Sequence, residues 1–363
     1  MRLLLYIWIA FCLPSMAVAQ SGWPSPEVEQ MYNTARGYLT NGKLQQAIVT
    51  YRQAIQLAPG QMVLHRDLGR AYYLSGNSQQ AEEILEPILK SGEADEQTYQ
   101  VMASIEGGNG DKKKARATLQ KGLVAYPQSG ILHHQLGVMY EEQDEPEQAL
   151  TAWLNGMQRD PAYHLNYYEA ARMYMNTDKP LWAILYGEVF VNLEQFTPRS
   201  QETRAMLLAA YKKIFYTVPS GDLPRYSKNA RVETITSFEA AATATLTRLS
   251  PVVSDGVNTE NLIMLRTRFI MDWMANNAAR YPHSLFSFHD RMLREGYFDA
   301  YNQWLFAKAD NPAEFEAWQK FHEKAMPAFN SWLQQNKYKP SSSDFYNEKL
   351  VKGLFDQKKN NKR

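Results

Sequence analysis

The sequence predicts an all-α protein whose first half is a helix–turn–helix solenoid. Three observations lead there. A ladder of small residues, Ala47, Ala81, Ala115, Ala149 and Ala183, repeats every 34 residues. Tyr38, Tyr72, Tyr140 and Tyr174 keep the same phase, with Gly42, Gly76 and Gly110 and then Pro59, Pro127 and Pro161 as turn punctuation. No segment alternates apolar and polar residues as a half-buried strand must. A fixed period of this length, with a breaker after each half-period, describes helical hairpins that bury their apolar faces only by stacking.

The elements follow in order. Residues 1–19 have the build of a secretory signal: Arg2, an apolar run from Leu3 to Leu13, Pro14, and Ala17-Val18-Ala19 as a small-x-small cleavage site. That run is too short to span a bilayer comfortably. The expectation is an exported chain, periplasmic or associated with the cell envelope, with no membrane span after cleavage. The single cysteine, Cys12, lies in this segment and follows Phe11, which suits a lipoprotein signal poorly. A chain beginning at Gln20 would hold no disulfide, thiolate-bound metal or cysteine nucleophile. Residues 20–27, rich in Pro and Ser, read as a flexible lead.

Five hairpin units then occupy residues 28–197. Leu68-Gly69 with Tyr72 and Leu136-Gly137 with Tyr140 fall on first helices. Ala81 and Ala149 open second helices, Tyr51 and Trp153 take a bulky site one turn on, and Pro59 and Pro161 close their units. In these residues the array resembles the tetratricopeptide repeat family. Some units depart from the pattern. Glu106 stands where tyrosine is expected, and Gly107-Gly108 after it should end that first helix early, at roughly 1 kcal/mol per glycine. Glu93 and Gln195 replace closing prolines, while Pro180 begins a second helix, where a missing N–H is tolerated. A phosphate-cradling reading of Gly107-Gly108-Asn109-Gly110 lacks a preceding strand and a following Lys-Ser/Thr.

Residues 198–233 are expected to form a capping helix (Ser200 to Tyr216) and a linker (Val218 to Arg231), residues 234–340 a helical C-terminal domain, and residues 341–363 a weakly structured basic tail. Within that domain Leu262, Leu265, Phe269 and Trp273 share one helix face behind an Asn258-Thr259 cap. His283 to Glu295, Gly296 and Tyr297 to Ala307 form a degenerate hairpin. Phe315, Trp318, Phe321, Phe329 and Trp332 read as core rather than as a sugar or peptide platform.

The formal charge of +1 supplies no global field toward nucleic acid or anionic membrane. Arg266, Arg268, Arg280, Arg291 and Arg294 are interspersed with Asp272, Asp290 and Glu295, so internal pairing is expected. His283, His289 and Asp290, with His322 further on, look catalytic. Two histidines six apart, however, miss the three- or four-residue spacing of a shared helix face. Ser287 lacks a Gly-x-Ser-x-Gly elbow. No catalytic residue, metal ligand or cofactor is assigned.

The resemblance implies a different kind of site. Transferred position by position, it places Tyr32, Arg36, Arg66, Arg70, Tyr73, Gln100, Ser104, His134, Tyr168 and Arg172 along a concave groove, interrupted by Glu141 and Glu142. Tyr and Arg carry much of the binding energy at interfaces. The Lys-and-Asn carboxylate clamp of some family members is absent, since Tyr32 with Arg36 and Arg66 with Arg70 stand at its places. The expected role is a non-catalytic scaffold or adaptor of the cell envelope, holding a protein or peptide segment of acidic character. The rival expectations are an enzyme whose site, metal-dependent or not, lies in the C-terminal helices, and a self-assembling structural protein. Oligomeric state stays open.

Overall fold

The computed structural model describes residues 22–216 and 237–346. The signal segment, the first residues of the lead, the Val218 to Arg231 linker and the tail from residue 347 lie outside the described residues. Every regular element among the described residues is helical.

Ten helices cover the repeats: α1 (Pro26–Thr40), α2 (Leu44–Leu57), α3 (Met62–Leu74), α4 (Ser78–Ser91), α5 (Glu96–Gly108), α6 (Lys112–Ala125), α7 (Gly130–Glu141), α8 (Pro146–Arg159), α9 (His164–Met175) and α10 (Pro180–Leu193). Side chains of Ser25, Asp95, Asp111 and Ser129 accept N–H groups at the starts of α1, α5, α6 and α7, satisfying donors that a helix end leaves open. One turn recurs between hairpin helices. Lys43 N donates to Tyr38 O, Asn77 N to Tyr72 O and Glu145 N to Tyr140 O, each at 2.9 Å. The tight return needs a left-handed residue, supplied by Gly42, Gly76 and Gly110 at φ of 70°, 83° and 91°. In the fourth unit Asp144 takes that place at φ 58°, the one non-glycine with positive φ among the described residues.

The chain divides into two compact units, residues 1–110 and 111–363. In the first, α1 to α5 enclose two apolar clusters, one around Ala47, Tyr51, Leu64 and Leu68 and one around Ala81, Leu85, Met102 and Ile105. A Cβ on Gly69 would stand 2.8 Å from Leu85, which shows how closely α3 and α4 approach. α5 does not end early. It runs through Gly108, where the absence of a side chain admits the Tyr73 hydroxyl, 2.7 Å from where a Cβ would be. Contact with Tyr73 thus takes up the room that the second glycine leaves.

The second unit has one continuous core. It joins Ala149, Trp153, Trp182 and Phe190 of the last two hairpins to Leu207 and Tyr211 of α11 (Pro198–Tyr216), Phe238 of α12 (Phe238–Arg248), Trp273 of α13 (Thr259–Asn276), Phe286 of α14 (Ser284–Arg294) and the helices beyond. α11 lies against α10, where an end cap belongs. Leu262, Leu265, Phe269 and Trp273 are all buried. α15 (Phe298–Asn302) runs through a π-helical turn at Gln303–Ala307 into α16 (Lys308–Asp310). The aromatic stretch beyond is broken into α17 (Pro312–Phe321) and α18 (Ala325–Gln335). Its second half supplies the fully buried residues, with Trp318 of the first half packed half-buried against them. Phe329 and Trp332 are buried, whereas α17 buries no residue and Phe321 is 87% exposed. Residues 341–346, expected to open a loose tail, are instead held. Ser341 and Asp344 form a capping box, Asp344 accepts from Ser284 N at 2.8 Å, and Tyr346 stacks on Phe238 at 4.5 Å.

Two substitutions test this packing. A Cβ on Gly137 would lie 2.1 Å from Trp153 Nε1, and a buried indole cannot yield, so Gly137→Ala should cost about 2–3 kcal/mol in urea denaturation. Asp144→Gly relieves the left-handed strain and should stabilise by about 0.5–1 kcal/mol in the same assay.

Candidate functional site

In the first unit α1 lies beside α3 and α3 beside α5, so the first helices form one face. Residues four apart share a helix stripe, which puts Tyr32 with Arg36 on α1 and Arg66 with Arg70 and Tyr73 on α3. Their surroundings differ. Arg66 is buried between two acids, its Nε 2.8 Å from Asp67 and its Nη1 2.6 Å from Asp95. Burial opposes its charge, but the two carboxylates outweigh that and raise its pKa. Arg36 and Arg70 are exposed and form no ion pair among the described residues. Tyr32 is half-buried, and burial followed by the Asp67 carboxylate pushes its hydroxyl pKa up. Tyr73 packs on Gly108, and Gln100 and Ser104 sit half-buried on α5 with Ser104 Oγ donating to Gln100 O at 3.0 Å.

In the second unit α9 lies beside α7 and α11. Arg172 is not free. Its Nη2 lies 2.5 Å from Glu141 and 2.9 Å from Glu169. Glu169 also stands 3.8 Å from His134 Nε2. Tyr168 packs on Phe190 at 5.1 Å, with the Arg199 guanidinium over its ring at 5.9 Å. His164 pairs with Glu194 at 2.7 Å, a contact that sequence reasoning did not single out. This face is largely neutralised by its own acids.

The catalytic-looking histidines are drawn into different roles. His283 caps α14 by accepting from Leu285 N at 3.2 Å and stacks on Phe238. Asp290 pairs with Arg294 at 2.8 Å, and His322 stacks on Trp318 at 4.8 Å. Ser287 Oγ donates to the His283 carbonyl at 3.3 Å. His289 instead joins a buried cluster centred on Glu188 of α10. His289 Nε2 lies 2.8 Å from Glu188 Oε1, Tyr301 Oη donates to the same oxygen at 2.7 Å, and the Arg266 guanidinium from α13 donates there too. Asn192 completes it through Tyr301 Oη at 2.7 Å. Burial opposes ionisation of Glu188, but Arg266 and then His289 hold its pKa down at about 2. A cavity of about 30 Å³ adjoins the cluster. Among the described residues no group of three or more His, Cys, Asp or Glu is arranged to hold a metal ion. Of the expected internal pairs, Arg291 with Glu295 and Arg294 with Asp290 form, whereas Asp272 is taken by Arg248 and Arg266 by Glu188.

Sequence reasoning missed Glu188, although a signal existed. It is the only charged residue in the otherwise apolar α10 (PLWAILYGEVFVNL), and Arg266 likewise interrupts the apolar face of α13.

Comparison with known proteins agrees with the hairpin geometry. The tetratricopeptide repeat family matches residues 38–105. Among curated proteins, none matches the sequence. Of solved structures, a thermophilic tetratricopeptide protein of Thermus thermophilus is 15% identical, with a TM-score of 0.42 over 51% of this chain and 98% of that one. PilF of Pseudomonas aeruginosa is 17% identical, with a TM-score of 0.41 over 53% of this chain and 93% of its own. PilW, described as a type IV pilus biogenesis factor, is 15% identical, with a TM-score of 0.41 over 52% and 86%. No helix among the described residues is long and apolar enough to cross a membrane. Residues 38–105 carry tetratricopeptide repeats, and the fold of the described residues is all-α.

The buried groups give two expectations. Glu188→Gln leaves the Arg266 charge without its counter-ion, which should cost about 3–5 kcal/mol in denaturation of the full chain. Burial is the leading cause that lowers the pKa of His133, His164, His289 and His283, the last from 6.5 to about 4. The unfolded chain therefore takes up protons at these rings at a higher pH than the folded chain does. Their contribution is complete above pH 6.5 and is lost as pH falls toward about 4. Urea midpoints should fall over that window, and less steeply in His283→Gln.

Proposed function

We propose that this tetratricopeptide repeat chain is a non-catalytic scaffold of the cell envelope, and that its first unit grips a carboxylate-bearing segment of another protein. One observation carries the reading. Arg36 and Arg70 occupy equivalent positions 34 residues apart, both are exposed, and neither is matched by an acid of its own. Flanking Tyr32 and Tyr73 supply apolar surface at low ordering cost, because each is already packed. A guanidinium binds a carboxylate through two parallel N–H bonds, which sets orientation as well as attraction. Because the stacked helices are rigid before the partner arrives, little conformational entropy is lost in the scaffold. Gln100 extends the polar row along α5. His134, Tyr168 and Arg172 serve in the second unit as a self-paired face, suited to hydrogen bonding more than to charge capture. The signal segment and the lack of cysteine beyond it favour the envelope as the site of action.

Affinity capture from the native envelope tests this. Arg36→Glu with Arg70→Glu should reduce recovery of the bound proteins at least tenfold, and wild-type capture should weaken with added salt. Recovery of the same proteins at the same yield by both chains would defeat the reading.

A further inference from the structure

The lead is not free of the repeat face. Trp23 stacks on Tyr32 with ring centroids 4.6 Å apart and planes 35° from each other, and Gln61 Nε2 donates to Gly22 O at 2.9 Å. Tyr32 in turn meets the buried Tyr51 at 6.3 Å. Trp23 also packs at the edge of the apolar cluster of α1 to α3, and Ser25 caps α1. Residues 22–25 are outside any helix, and Trp23 remains half-exposed. A short non-helical stretch whose one large ring stays half-exposed is the kind of element that opens at low cost. Its place matters, because the ring it covers stands one helical turn from Arg36.

Resting on the reading of the first unit given above, we propose that Trp23 is a stand-in ligand. The surface over Tyr32 is a subsite for an aromatic side chain, which the chain's own lead occupies until a partner segment displaces it. The spacing defines the partner. Tyr32 and Arg36 are four residues apart on α1, about 6 Å along the helix axis. An extended peptide advances about 3.3 Å per residue. The segment that fills both places therefore carries an aromatic residue two positions from a carboxylate. Charge capture by Arg36 and Arg70 supplies the attraction, and exchange of one indole for another leaves the aromatic subsite little net affinity to add, and so little selectivity, while Trp23 is in place.

The test uses the full chain and two dye-labelled synthetic peptides, Ac-Ser-Trp-Ser-Glu-Glu and Ac-Ser-Ala-Ser-Glu-Glu, read by fluorescence anisotropy. In wild type the tryptophan peptide should gain less than threefold over the alanine peptide, because the subsite is filled. In Trp23→Ala the tryptophan peptide should bind about tenfold tighter than the alanine peptide, and Trp23→Ala with Tyr32→Ala should erase that preference. Trp23→Phe, which keeps a ring in place, should behave as wild type. Circular dichroism melts check that each variant is folded, since the stack is peripheral to the buried cluster of α1 to α3. If both peptides bind Trp23→Ala equally and both are lost on Arg36→Glu with Arg70→Glu, the stand-in ligand is overturned while carboxylate capture stands. If neither peptide binds, or the charge-reversed chain binds as wild type does, carboxylate capture itself fails, and the inference with it.

Discussion

Close approach of two helices within each hairpin is the constraint on which the architecture depends. The alanines at positions 47, 81, 115, 149 and 183 are all fully buried. A larger side chain at any of them would force the helices of that hairpin apart. The glycines on first helices take the same logic further, because Leu85 and Trp153 occupy the volume that a Cβ at Gly69 or Gly137 would need. Interiors packed to this density answer a single added methyl with backbone movement rather than slight compression. The regular phase of the sequence is therefore a record of steric necessity: each turn must return the chain after the same number of residues for the next small residue to meet its bulky neighbour.

That constraint explains what the sequence made legible. Small residues, turn glycines and bulky partners are local signals with a period, so hairpin boundaries could be read to within a few residues. Asp144 shows the limit. The turn geometry persists where the glycine does not, because its hydrogen bond from Glu145 N to Tyr140 O is backbone. Gly107-Gly108 shows the opposite error: propensity alone predicts an early end, whereas the helix runs on, with Tyr73 from an earlier repeat packed on Gly108. On α17 a helix-spaced aromatic set suggested a core face. Spacing reports that residues share a face, but not how far along it the core reaches: Trp318 packs half-buried while Phe321 is exposed.

The candidate site was less legible because charge pairing is long-range in sequence. Arg66, Arg70, Arg36 and Arg172 look alike as letters in a repeat. Arg66 is taken by Asp95, 29 residues on, and Arg172 by Glu141, 31 residues back. Both separations are close to one repeat period, so a partner falls on the adjacent first helix or its cap. Arg36 does have an acid at that displacement, Asp67, 31 residues on, but Arg66 holds that carboxylate at 2.8 Å; one period on from Arg70 is Ser104. Spacing can thus nominate an acid about one period away, but not say which guanidinium takes it.

The Glu188 cluster obeys a different economy. Burying a carboxylate is unfavourable unless donors surround it, and here the donors come from α13, α14 and α15 at once. An apolar side chain of similar volume would cost less to bury but could accept many alternative dockings of those helices. A single acceptor that needs a guanidinium, an imidazole and a phenol in fixed places admits one. Specificity of docking is then set in the second helix of the last repeat, where the hairpin pattern asks only for apolar packing. This accounts for a charged residue in the most apolar helix of the described chain, and for the lack of any periodic trace of it. The repeats and the C-terminal helices of the second unit share one core, and Glu188 is the acceptor at which α10 meets α13, α14 and α15.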